Sequence, residues 1–282
     1  AAADILREID SLVDSGVREV LLLGQNVNSY GRGLEEKITF SALIRRIAAE
    51  TGVLRIRFTT SHPKDLTEDL MGCFAEVDKL CKHLHLPVQS GSDRVLARMN
   101  RGYTVSDYVR KIELLRGICP EIALTSDVIV GFPGETEADY RLTMDLLENV
   151  RFDNLFSFRY SDRPNAAASD FEEKVDPEII LRRLVELQAY QAETTLKKNL
   201  AEVGLVREVL VEGRSKASNG QLMGRTTHNR IVNFDGPREL RGHFAATEIT
   251  GAYSHSLKGH LVEGARGASV LAHLPGSKRL ND

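Results

Sequence analysis

The stretch Ser126–Thr136 (SDVIVGFPGET) constrains the fold more than any other part of the chain. Val128, Ile129 and Val130, the apolar run after Asp127, read as a strand buried on both faces, and Gly131, Pro133 and Gly134 then force a tight turn. A helix follows at once. Thr136 caps its first turn with Asp139 as the reciprocal acid, and Tyr140, Met144, Leu147 and Val150 recur on one face. A strand that turns directly into a helix is the unit of a parallel α/β sheet or barrel. Ligands bind at the carboxyl edge of such a sheet, where glycines let backbone amides approach them.

The unit recurs along the first part of the chain. Strands are expected at Val17–Leu23, Leu54–Thr60, about Lys82–Val88, the stretch above, and Phe152–Tyr160. Helices alternate with them: Ala3–Ser15 with Ile5, Ile9, Leu12 and Val13 inward, about Phe40–Glu50, one capped by Thr67 and running through Val77, one capped by Ser92, and one opened by a Thr104–Asp107 capping box. Five strands fall short of an eightfold barrel by three, and a helix precedes the first. The expectation for residues 1–175 is therefore an α/β fold, a partial (βα) barrel in a chain that looks cut. From Asp176, an N-cap before Pro177, a linking helix runs to about Val203 and stops at Gly204.

After Gly204 the apolar period changes from helical to alternating. Short strands at Val206–Val211, Leu222–Arg225, Ile231–Phe234, Phe244–Thr250 and Leu257–Val262 predict a second domain over 205–264, a small all-β antiparallel barrel, with an irregular tail over 265–282. The charge follows the same division. Residues 1–204 carry 26 Lys and Arg against 33 Asp and Glu, whereas 205–282 carry 11 against 7, so a polyanion is expected to meet the C-terminal part. No apolar run approaches the roughly 20 residues that span a bilayer, and the N-terminus has no basic and apolar leader pattern, so a cytoplasmic location without membrane partners is expected. Cys73, Cys81 and Cys119 match neither a metal motif nor a disulfide framework and read as buried thiols.

Polar side chains collect at the strand ends: Gln25 and Asn26; Ser61 and His62; Gln89 and Ser90; Arg159, Ser161 and Arg163. Asp127 stands at the start of its strand, from where its side chain can point into a barrel. A ring of amides, hydroxyls and cations suits a ligand with amino, carboxylate, ribose and base groups, each needing a directed hydrogen bond. No nucleophile–base pair is evident, so no catalytic residue is assigned. Ser61 and His62 are adjacent on a strand and point to opposite faces, and His62 before Pro63 is as readily a satisfied structural histidine as a ligand. His83 and His85 share a strand face without a third metal ligand beside them, so no metal site is assigned. In the second domain Arg214, Lys216, Arg225, His228, Asn229, Arg230 and Lys258 fall in or beside turns. They read as a solvated face, or as cations on a small barrel that holds an RNA backbone.

Four ordered blocks, LLLGQNVNSYG, RIRFTTSHP, HLHLPVQSGSDRVLARMNRGYT and SDVIVGFPGETEADY, closely resemble the radical S-adenosylmethionine (SAM) tRNA methylthiotransferases of the MiaB type. GRTTHNRIVNFDG followed by SLKGH is similar to their TRAM domain, and GQNVN resembles the tRNA-acting branch. The resemblance implies a radical SAM barrel represented by its strands 2 to 6, then a TRAM barrel. It implies SAM and two [4Fe-4S] clusters as cofactors, methylthiolation of carbon 2 of an isopentenylated adenosine beside the anticodon, and tRNA and an electron-donor protein, not DNA, as partners. By strand order Gln25 and Asn26 match the segment that meets the methionine moiety, and Gln89, Ser90 and the Val130–Gly131 edge match those nearer ribose and adenine. Two departures stand out. The family's C-x-x-x-C-x-x-C loop and its second cysteine set are absent, so the chain alone is expected to be inactive. Arg163–Ala168 (RPNAAA) also replaces the usual R-P-G-T-P-A. The alternatives are a non-catalytic RNA-binding protein that keeps the TRAM domain, or an unrelated partial barrel enzyme.

Overall fold

The computed structural model describes residues 1–33, 35–59, 61–162, 167–215 and 220–266. They form two compact units, which part inside one long helix: residues 1–14 and 19–195 make the first, and the second takes in the chain from Leu196 together with 15–18.

The first unit runs α1 (Ala2–Asp14), β1 (Glu19–Leu22), α2 (Phe40–Glu50), β2 (Arg55–Phe58), α3 (Glu68–Glu76), β3 (His83–His85), α4 (Asp93–Arg98), α5 (Val105–Ile118), β4 (Ala123–Val130), α6 (Glu137–Val150), β5 (Asn154–Arg159) and α7 (Pro177–Leu200). Side-chain oxygens of Thr39, Thr67, Ser92, Thr104 and Thr136 cap five of these helices, and both expected capping boxes, Thr104–Asp107 and Thr136–Asp139, close reciprocally. The apolar faces of α2, α5 and α6 bury the residues that their periodicity singles out, among them Ile44, Ile112 and Leu147. In α1 the buried line is Ala2, Leu6 and Ile9 while Leu12 is exposed, because a 3.6-residue period from Ala2 passes through Leu6 rather than Ile5.

β1 pairs in parallel with β2, and β3, β4 and β5 pair in parallel in that order. Bonds from Ile56 N to Lys79 O (2.8 Å) and from Cys81 N to Ile56 O (2.9 Å) tie β2 to the run entering β3. The five strands thus follow chain order with their carboxyl ends on one edge, as in a partial (βα) barrel. β3 is shorter than the sequence predicts because Pro87 has no N–H to give. Pairing resumes past it, with Gln89 N on Asp127 O (2.8 Å) and Ile129 N on Gln89 O (2.9 Å).

The second unit is a closed barrel of β6 (Val206–Arg214), β7 (Leu222–Arg225), β8 (Ile231–Phe234), β9 (Phe244–Ala252) and β10 (Leu257–Arg266), in the order β10-β8-β7-β6-β9. Val209, Val211, Val232, Phe234, Ile249 and Leu257 fill it. The barrel is not wholly antiparallel: β10 closes it by pairing in parallel with β8, Leu257 opposite Val232. The strand also continues to Arg266, past the end its sequence suggests; the expected tail beyond it lies outside the described residues. Among the described residues no helix is long and apolar enough to cross a membrane.

Candidate functional site

The turn after β3 and the turn after β4 are built as one piece. Asp139, at the start of α6, accepts from Thr136 N (2.8 Å), from Ser92 Oγ (2.6 Å) and from Arg94. Burial works against that carboxylate, but the bonds from Arg94, Ser92 and Thr136 overcome it and hold its pKa well below the usual aspartate range. Gly91 seats directly on α6: a Cβ there would lie 2.4 Å from Leu142 O, and its N–H donates to Thr143 Oγ1 (2.9 Å). On the other side Glu135 accepts from Gly131 N (3.1 Å) and from Arg183 Nη1 (2.7 Å), both side chains being 3% exposed. Gly131 has φ +79° and lies under α7, where a Cβ would meet Ile180 Cγ1 at 2.4 Å, so the turn and α7 fit only with glycine there.

Between these turns a cleft of about 780 Å³ opens at the carboxyl ends of β3, β4 and β5. Gln89, Asp127, Arg101 and Arg159 give it polar groups, and Ile129, Phe132, Phe158 and Phe171 give it apolar ones. Gln89 holds φ +73° to reach this wall, an unusual conformation for a residue with a side chain. Four of the sequence-predicted residues, Gln89, Asp127, Arg159 and Ser161, therefore meet in one place. Ser90 and Val130 do not: each is 1% exposed. The Ser90 hydroxyl accepts from Ser92 N (3.2 Å) and faces Thr143 Oγ1 at 3.5 Å, so it builds the turn.

A second cluster joins the ends of β1 and β2 on the same edge. Asn28 exchanges side-chain bonds with the backbone of His62, 3.0 and 3.1 Å long, and Asn26 Nδ2 and Arg32 both donate to the buried Asp65. Gln25 is exposed beside it. Asn26 Oδ1 and Ser61 Oγ are buried without a hydrogen-bond partner. His62 accepts from Lys64 N through Nδ1 (3.2 Å) and packs edge-on against Tyr103. Burial, and after it the nearby Arg101 cation, push its pKa down, so it is a neutral loop-fixing ring at pH 7. Arg101 thus borders both clusters, and its own Nε is buried without a hydrogen-bond partner.

In the barrel unit Arg214 and Lys258 are exposed. Arg225 pairs with Glu212 (2.9 Å) and reaches Asn229 Oδ1 (3.4 Å), and His228 Nδ1 faces Thr227 Oγ1 at 3.2 Å. Asn229 takes φ +64° at the tip of the β7–β8 turn. Arg230 is bound inward, Nη1 to Asn199 Oδ1 (2.6 Å) and Nε facing Glu202 Oε1 (3.4 Å), with 12% of its side chain exposed. Lys216 and Arg163 lie outside the described residues.

The sequence model of the radical SAM superfamily matches residues 1–147. The chain belongs to the radical SAM superfamily. The TRAM-domain model matches residues 200–262, the closed barrel. A curated tRNA-2-methylthio-N(6)-dimethylallyladenosine synthase of Syntrophobacter fumaroxidans is 63% identical over 262 residues, 93% of this chain and 58% of the relative. That of Syntrophus aciditrophicus is 53% identical, over 92% of this chain and 56% of its own length. The chain thus spans a little under three-fifths of the curated relatives it matches. Among solved structures, coproporphyrinogen III oxidase (HemN) from Escherichia coli shares the fold, with a TM-score of 0.53 at 15% identity over 88% of this chain and 60% of that one.

Sequence reading missed Arg98 and Arg101, which flank the cleft at the end of α4. Arg98 pairs with Glu173 (2.7 Å) and lies 4.9 Å over the Phe171 ring. The signal was present in RMNRG: α4 ends at Arg98, and the positive φ of Asn100 and Gly102 breaks the chain there, which leaves both cations at the helix end beside the cleft.

Proposed function

We propose that the edge cleft of the first unit binds S-adenosylmethionine, and that the chain is the cofactor-side and RNA-binding part of a cytoplasmic tRNA methylthiotransferase. The substrate would be N6-dimethylallyladenosine beside the anticodon, modified at carbon 2, with an electron-donor protein as a further partner. The observation that carries this reading is the convergence of Gln89, Asp127, Arg101 and Arg159 with Phe158 on one cleft.

The residues fit the cofactor group by group. Gln89 and Asp127 offer the acceptors and donors a ribose diol needs, and Ile129 and Phe158 offer a flat apolar surface to a purine. Arg101, with its unpartnered Nε, is the cation for the cofactor's carboxylate, and Arg159 can stack on the base. Gln25 and Asn26, just past the end of β1, would meet the methionine end. When bound, the cofactor would supply radical chemistry, and Ile129, Phe132 and Phe158 would exclude water from it.

The cysteines present do not fit an iron–sulfur cluster. Cys73, Cys81 and Cys119 are all buried, and burial pushes the first two thiols up to about 11, far from the thiolate a cluster needs. The ligands of both [4Fe-4S] clusters are therefore assigned to chain outside residues 1–282, and these residues alone are assigned no turnover. Calorimetry with SAM tests the cleft in a longer chain that carries the cluster ligands and is loaded with its clusters (the cluster-loaded protein): Gln89→Ala and Arg101→Ala should each weaken binding about tenfold, and unchanged affinity in both would refute the reading. Anaerobic reconstitution that loads a cluster onto residues 1–282 would refute the ligand assignment.

A further inference from the structure

The inner face of β3 and β4 carries a chain of polar groups that extends beyond the cleft. His83 and His85, two apart on β3, turn to one hydroxyl: Thr125 Oγ1 lies 3.0 Å from His83 Nε2 and 3.0 Å from His85 Nδ1. The other ring nitrogen of His85 faces Asp127 Oδ1 at 3.5 Å, and Phe156 packs edge-on against the ring at a centroid distance of 5.9 Å. Parallel pairing sets His85 opposite Thr125, which fixes this arrangement in the backbone register. His83 and Thr125 are buried, and Asp127 is the member that opens on the cleft.

A hydroxyl has one proton, so Thr125 donates to one ring and accepts from the other. The Asp127 carboxylate favours a proton on His85 Nε2, which leaves Nδ1 bare to accept from Thr125. Thr125 is then free to accept from His83 Nε2–H. The order of donors runs from His83 through Thr125 to His85, whose Nε2–H then faces the Asp127 carboxylate across 3.5 Å, and each ring has one tautomer.

Resting on the reading of the cleft as a nucleoside site, we infer that His85 and Thr125 are positioning residues that act through Asp127. They hold its carboxylate from behind, so that the remaining lone pairs face the diol of the bound nucleoside. The arrangement parallels the outer-shell carboxylate and histidine partners that orient the ligands of metal sites.

Two measurements test this. Long-range proton–nitrogen NMR on the 282-residue chain should show a proton on Nε2 of both His83 and His85 and none on Nδ1 of His85. Thr125→Val should abolish the fixed tautomer of His85, and Thr125→Ser should restore it. A proton on Nδ1 of His85 in the unsubstituted chain would overturn the inference. In the cluster-loaded protein, Thr125→Val should weaken SAM binding on the order of tenfold, the scale on which outer-shell partners act, with Thr125→Ser within about twofold of the parent. Equal affinity in parent and Thr125→Val would overturn it. A parent protein that binds no SAM would instead count against the nucleoside reading of the cleft, while the tautomers would still be decided by NMR.

Discussion

Gln89 and Ser90 are neighbours in the sequence, yet the backbone sends them to different tasks. The positive φ of Gln89 keeps its side chain on the cleft wall, while Ser90 turns inward against Thr143. We therefore expect Ser90→Ala to lower stability by about 1 kcal/mol in denaturant unfolding and to leave SAM affinity within twofold, unlike Gln89→Ala. A Ser90→Ala loss of affinity equal to that of Gln89→Ala would show that the hydroxyl reaches the ligand. Asp139 gives the pH dependence. Its folded pKa lies below the ordinary 3.8, so its contribution is fully present above about pH 4 and is lost as the pH falls towards the folded value. Asp139→Asn should flatten the acid limb of the stability curve, and Asp139→Ala should cost about 2 kcal/mol at neutral pH. An unaltered acid limb in Asp139→Asn, followed by circular dichroism, would contradict this.

At the scale of elements, α7 is the clamp on the glycine turn. Arg183 neutralises Glu135 and reaches Glu137 (3.1 Å), and Tyr140 donates its hydroxyl to Arg183 O (2.9 Å). Burial still raises the pKa of Glu135, against the pull of the Gly131 amide and of Arg183. Arg183→Met should therefore cost about 3 to 5 kcal/mol, because it leaves a buried carboxylate alone, and adding Glu135→Leu should recover much of it. A single-variant loss under 1 kcal/mol in urea would argue that α7 does not clamp the turn.

The elements also show what could be read beforehand. The capping boxes at Thr104 and Thr136 and the apolar faces of α5 and α6 depend on neighbours three or four residues away, and local spacing reveals them. The parallel β8–β10 pair, the ion pair that turns Arg230 inward and the approach of Arg101 to the strand ends depend on distant chain. No local pattern records them. The early end of β3 was legible in Pro87, but the run of apolar residues around it reads as unbroken strand. The strand ends were legible because each is a local polar turn. Which of their side chains face the cleft was not legible, since Gln89 reaches it through a positive φ and Val130 lies on the helix side.

Across the whole molecule, residues 1–204 carry an acidic balance and 205–282 a basic one, the division expected if a polyanion meets the second unit rather than the first. Exposed Lys258 and inward Arg230 make opposite predictions for binding of an anticodon stem-loop. Lys258→Ala should weaken binding and reduce the salt slope by about one, whereas Arg230→Ala should act first on thermal stability. Fluorescence anisotropy at several salt concentrations distinguishes them, and an unchanged slope for Lys258→Ala would remove it from the interface. The cleft itself is tested most directly by amide hydrogen exchange of the cluster-loaded protein with and without SAM. Protection is predicted at Gln89–Ser92, Asp127–Gly131 and Arg159–Ser161 together. Protection that bypasses all three segments and appears elsewhere would contradict a cofactor held at this edge.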